Sequence, residues 1–214
     1  MLALVLALAA PSQATPRDPE VYWTGYIDPE TLPGEAEARA HDRDLVRRSG
    51  RDLAVLYKGK VIRHLVSDDR PPPSNIWLYA GRIDVGSEAL ATVRLETGKG
   101  GREAIVKPDG TLFWTEGPAA ASPDGRWIAA SGDWGDQMDD SAANNYLRVF
   151  RWSDHRQYIF HKACLGQKWL DATHFTADCN GDPDHLATAS YVKGHWTLTW
   201  TAKGRRHVLK ARAN

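Results

Sequence analysis

The chain has 214 residues, 42% of them hydrophobic, and its 27 Lys and Arg are matched by 27 Asp and Glu, giving a pI near 7.1. This length and apolar content suffice for one domain with a true core, and the balanced charge excludes a global field that would draw the protein to nucleic acid or to an anionic membrane. Nine tryptophans, spread from Trp23 to Trp200, suit a fold in which each supersecondary unit carries its own aromatic anchor.

Residues 1–14, MLALVLALAAPSQA, join an apolar run to Ser12-Gln13-Ala14, a small-x-small triplet of the kind signal peptidase cuts after. They read as a signal peptide without a basic start, and the expectation is an exported protein, periplasmic or secreted; a buried N-terminal strand or helix is the alternative. The run is shorter than the roughly 20 apolar residues of a membrane span, and no second run follows.

Residues 15–51 read as an N-terminal extension. Pro16, Pro19, Pro29 and Pro33 precede a charged stretch whose opposite charges at i,i+4 spacing and terminal Gly50 predict a short surface helix or loop. Only Ala36, Ala40, Leu45 and Val46 offer it an apolar face. It serves either as a solvated linker or as an arm that grips a partner.

From Asp52 onward, turn residues about every ten positions predict an antiparallel β meander over residues 52–214. Strands are expected at 53–57, 61–66, 75–83, 89–95, 102–106, 111–115, 127–131, 146–152, 157–161, 169–176, 186–192, 196–201 and 207–209. Lys58-Gly59-Lys60, Val85-Gly86, Lys99-Gly100-Gly101, Lys193-Gly194 and Lys203-Gly204 supply hairpin turns that need φ > 0. The triple proline Pro71-Pro72-Pro73 makes residues 67–74 a loop.

The strongest punctuation is Ser122-Pro123-Asp124-Gly125, which runs straight into the strand begun by Trp127. A weaker copy, Lys107-Pro108-Asp109-Gly110, stands 15 residues upstream. Trp77, Trp114, Trp152 and Trp196 recur at intervals of 37, 38 and 44 residues, near the length of a four-stranded propeller blade. The turn-then-strand element resembles the repeats of WD40-like and TolB-type β-propeller proteins, in which that turn joins the inner two strands of a blade. The resemblance covers residues 108–209. It implies an all-β fold of antiparallel four-stranded blades in a small or incomplete propeller-like array, with a β-sandwich as the alternative.

Cys164 and Cys179 are the only cysteines, and an even count in an exported chain predicts a disulfide between them, pinning residues 169–176 at both ends. Asp133, Asp136, Asp139 and Asp140, followed by Asn144 and Asn145, offer oxygens suited to Ca²⁺, which takes six to eight. A second acidic loop, residues 178–184, fails the EF-hand pattern because Gly181 is fourth and Ala189 stands where a bidentate Glu belongs. Solvated turns are the preferred explanation of both loops.

The eight histidines show no metal-ligand spacing, and no GxSxG, Walker or GxGxxG motif is present. Asp171, His174 and Ser190 form a triple of the kind any β protein of this size offers. The expectation is a binding or protein-interaction module whose ligand, protein or small molecule, the sequence does not identify, with its site on strand-end loops. A secreted hydrolase using Asp and His residues, or a structural envelope protein, stands beside it.

Overall fold

A computed structural model describes residues 33–68, 75–97, 100–132, 146–162, 164–179 and 186–214. It is all-β with one short helix, α1 (Pro33–His41). The first sheet holds β1 (Val46–Ser49), β2 (Asp52–Tyr57) and β3 (Lys60–Val66) in that order. The second holds β4 (Asn75–Val85), β5 (Glu88–Thr97), β6 (Gly100–Val106) and β7 (Leu112–Trp114). The third holds β8 (Ala119–Ala121), β9 (Trp127–Gly132), β10 (Tyr146–Arg151) and β11 (Gln157–Phe160), with the C-terminal β17 (Arg212–Ala213) added beyond β11. The fourth holds β12 (Leu165–Trp169), β13 (His174–Asp178), β14 (Ala187–Val192), β15 (His195–Ala202) and β16 (Arg205–Lys210). Every strand pair is antiparallel.

Period-2 alternation explains how these sheets stack. Leu53, Val55 and Leu65 of the first sheet meet Tyr79, Val93 and Val106 of the second. The other face of the second sheet sends Ile83, Leu90 and Ile105 against Ile128, Ala130 and Phe150 of the third. The opposite face of the third, with Trp127, Leu147 and Phe160, packs on Phe175, Trp196 and Leu198 of the fourth. The second and third sheets thus bury both faces, which a two-layer sandwich does not do. The result is a propeller-like row in which each sheet packs on the next; among the described residues no hydrophobic cluster joins the fourth sheet to the first. The first strands β4, β8 and β12 lie together at one side of the row.

One strand serves two cores because of a bulge. In β4, Trp77 and Tyr79 face the first sheet, yet Ile83 and Val85 face the third. The pairing with β5 shifts between Tyr79 and Gly81, and the extra residue reverses the side-chain alternation. Thr92 fixes the kink by donating from Oγ1 to the Gly81 carbonyl at 2.7 Å.

Three of the Lys-Gly hairpins form as expected, while Lys99 of the fourth lies outside the described residues. Lys58-Gly59, Lys193-Gly194 and Lys203-Gly204 all have both residues at positive φ, as a type I′ turn requires. Ser122–Gly125 joins β8 to β9, the first two strands of its sheet, with Trp127 donating its backbone N–H to the Ser122 hydroxyl at 3.0 Å and Gly125 donating to the Ser122 carbonyl at 2.8 Å. The copy at Lys107–Gly110 occupies a different place, between β6 and β7. Each of these loops seats its glycine on the preceding sheet: a Cβ on Gly110 would stand 2.4 Å from the Ile62 carbonyl oxygen, and one on Gly125 2.3 Å from the Gly86 nitrogen.

Several expectations change. Residues 169–176 are not one strand: Asp171 accepts from the Thr173 backbone N–H at 2.6 Å and breaks them into the β12–β13 hairpin. The predicted helix ends at His41, and Val46–Ser49 extends into β1, because Leu45 and Val46 are drawn into the core beside Leu53. Gly50, at φ +57°, turns β1 into β2 and stops no helix. The tryptophan spacing marks no blade period, since Trp77 and Trp114 belong to one sheet with ring centroids 6.0 Å apart.

Cys164 and Cys179 are disulfide-bonded and buried in the core between the third and fourth sheets. Lying beside Leu165 and Asp178, which pair across the hairpin, they clamp its open end rather than the two ends of one strand. Closing a 15-residue loop is worth about 3 kcal/mol. Chemical denaturation of Cys179→Ser is expected to show a loss of that size, and equal midpoints for variant and wild type would remove the bridge from the account of stability.

Candidate functional site

The inner face of the fourth sheet is spent on the core, so its chemistry lies on the outer face. Because Phe175 and Ala177, Ala187 and Ala189, and Trp196 and Leu198 point inward, the residues between them point outward. Strand register assembles these into rows. One row runs Lys168, Thr176, Thr188, Thr199 and Val208 across all five strands; the next runs His174, Ser190, Thr197 and Lys210. Thr201 pairs with Arg206, and Val192 with His195, at opposite ends of the face. Thr176, Thr188, Thr197 and Thr199 are half-buried by their neighbours, while Lys168, His195, Thr201, Arg206, Val208 and Lys210 are exposed.

This face is rich in hydroxyls and bordered by cations. Leu186 to Asn214 contains six Lys and Arg and no Asp or Glu. That asymmetry is hidden by the zero net charge of the whole chain, and a charge count taken by segment finds it.

The triple of Asp171, His174 and Ser190 lies on the same face. His174 Nδ1 stands 2.9 Å from both Asp171 carboxylate oxygens, and Ser190 is directly across from His174 in the β13–β14 register. The Thr173 backbone N–H, and then the His174 ring, hold the Asp171 carboxyl down to about 2, so it is ionised at neutral pH. Both partners are open to water, with Asp171 57% and His174 40% exposed. A second pair, His64 Nδ1 and Asp52 Oδ2 at 2.8 Å, bridges two strands of the first sheet with similar exposure. Asp–His pairing at a sheet surface is therefore a recurrent structural device in this protein.

Asp133, Asp136, Asp139 and Asp140 lie outside the described residues, as do Asn144 and Asn145. Of the second acidic loop only Asp178 and Cys179 are described. Among the described residues no group of three or more His, Cys, Asp or Glu side chains is placed to hold a metal ion. No helix among them is long and apolar enough to cross a membrane. Comparison with family models, with curated proteins and with solved structures gives no match.

Proposed function

We propose that the protein is an exported interaction module that docks an acidic protein surface on the outer face of its fourth sheet. The observation that carries this reading is the pair of in-register hydroxyl rows bordered by Lys168, Arg206 and Lys210. An exposed five-stranded face suits a protein partner, because small ligands favour concave sites that bury most of their surface. Aligned Thr and Ser hydroxyls both donate and accept, while the lysines and arginine supply complementarity to carboxylates and steer encounter. Val192 and Val208, exposed on the same face, give apolar contact among the polar groups. The disulfide supports export to an oxidising compartment, and the row of meandering sheets supports kinship with β-propeller repeats.

Polyglutamate is the probe for the acidic partner. The intact protein is expected to bind it with an affinity that falls steeply with salt, and Arg206→Glu with Lys210→Glu is expected to weaken binding at least tenfold. Unchanged binding in that double variant, with its fold retained by circular dichroism, contradicts the reading.

A second reading rests on Asp171, His174 and Ser190, whose juxtaposition is that of a base oriented by a carboxylate beside a hydroxyl nucleophile. The open face does not exclude water, which weakens the electrostatics such chemistry uses. Turnover of a nitrophenyl ester that disappears in Ser190→Ala would favour hydrolysis over docking.

A further inference from the structure

We propose that the hollow between α1 and β1, at the other end of the row of sheets, binds a tetrahedral oxyanion of the phosphate class, free or carried by a small organic molecule. The open hollow measures about 500 Å³ and is lined by four arginines, Arg39, Arg43, Arg47 and Arg48, with Ala36, Ala40 and Val46; among the described residues no acidic side chain lines it. Ala36, Arg39 and Ala40 fall on one face of α1, so the helix presents small residues and a guanidinium together.

The buried partner of this cluster is Glu35. Its Oε1 accepts from Arg48 Nε at 2.9 Å and from Nη2 at 2.6 Å, and it stands 3.6 Å from Arg39 Nε. Arg48 also gives Nη2 to the Trp77 carbonyl at 2.6 Å, and with its side chain wholly buried it is a fixed element of the site. Three polar atoms of this contact, Arg48 Nη1, Arg39 Nε and Glu35 Oε2, are buried without a hydrogen-bond partner. Donors outnumber acceptors in that set, and an anion would supply the missing oxygen to Arg39 once its side chain turns toward the hollow.

Among the described residues Glu35 is the carboxylate hydrogen-bonded to this guanidinium cluster, and the neighbouring Asp42 accepts from the Tyr79 hydroxyl at 2.9 Å. Burial raises the pKa of the Glu35 carboxyl, against the pull of Arg48. Several guanidinium forks converging on one hollow match an anion with three or more acceptor oxygens, whereas a lone carboxylate fills a single fork. Arg43 and Arg47 are exposed and free to close on such an anion. The site is independent of the fourth-sheet face and of any partner docked there.

The test is titration of the full chain, by calorimetry and by thermal unfolding, with inorganic phosphate and glycerol 3-phosphate, and with acetate and chloride at matched ionic strength. Phosphate and glycerol 3-phosphate are expected to bind saturably and raise the Tm. Tighter binding of glycerol 3-phosphate identifies an organic phosphate as the occupant, and equal binding identifies the free anion. Arg43→Gln with Arg47→Gln, both on exposed side chains, is expected to weaken binding at least tenfold, while Lys60→Gln on the same sheet leaves it unchanged. The proposal is overturned if acetate or chloride matches phosphate, if the double arginine variant binds as the wild type does, or if Lys60→Gln weakens binding as much.

Discussion

Replacing Trp196 with alanine is expected to cost about 3–5 kcal/mol, the range for deleting a large aromatic from a close-packed core. Trp196 is fully buried and is the ring on which four others converge. Trp127 of the third sheet meets it edge-on at 5.4 Å, and Trp169, Phe175 and Tyr191 of the fourth surround it at 5.4–5.9 Å. Its removal opens a void where the two sheets meet, and neighbours this rigid collapse into it poorly. Trp196→Phe should cost clearly less. It keeps the ring-on-ring packing and removes an indole N–H that is buried without a hydrogen-bond partner. Denaturant titration of both variants, with near-ultraviolet circular dichroism to follow the ring cluster, checks this. A loss below about 1 kcal/mol for the alanine variant would mean that the third and fourth sheets do not depend on this contact.

Gly125→Val is expected to be comparably damaging, at about 3–5 kcal/mol, for two reasons that a control separates. Gly125 has φ +68°, where a branched side chain is strained, and its missing Cβ makes room for the backbone of the β4–β5 turn, with Gly86 N at 2.3 Å and Gly86 Cα at 2.7 Å from the position a Cβ would take. Gly59 has a similar φ, +77°, but nothing within 4 Å. Gly59→Val therefore reports backbone strain alone, of order 1–3 kcal/mol. The excess at Gly125 reports the seating of the Ser122–Gly125 loop on the second sheet. Asp124→Ala, which removes acceptor oxygens for Ser122 Oγ and the Arg126 backbone N–H, should lose only about 1 kcal/mol. Equal costs at Gly125 and Gly59 would deny the contact between sheets any part in stability.

Much of this architecture was legible in the sequence because its signals are local. Lys-Gly pairs at three hairpins announce a type I′ turn, whose twist matches that of the strands it joins, and alternation in residues 195–202 places Trp196, Leu198 and Trp200 on one side at sight. What could not be read depends on partners remote in the chain. Ala119–Ala121 has no strand character of its own and becomes β8 because it pairs with Ala121↔Ile128 register against β9. Val46–Ser49 continues a helix-like charge pattern, and only the pull of Leu45 and Val46 toward the second sheet makes it extended. The candidate sites divide the same way. The cysteine pair follows from count alone, whereas the hydroxyl rows arise from the register of five strands, and the arginine hollow arises where the buried Glu35–Arg48 contact ties the helix to β1. The acidic run from Asp133 to Asp140 is chemically the plainest signal in the chain, yet oxygens in one loop say nothing of whether they converge.

The placement of β17 has a consequence for how the chain is made. Strand β11 offers an open edge until Arg212 and Ala213 pair with Ile159 and Tyr158, and Asn214 donates to the Gln157 carbonyl at 2.9 Å. Those residues come well after β11 in the chain. At about 5–20 residues per second, the roughly 50 residues between Phe160 and Arg212 take several seconds to synthesise. Throughout that interval the nascent third sheet carries an unprotected edge of the kind that recruits stray strands. Truncation of the final few residues should therefore show itself first as aggregation during synthesis, and only second as a lower melting point of whatever folds.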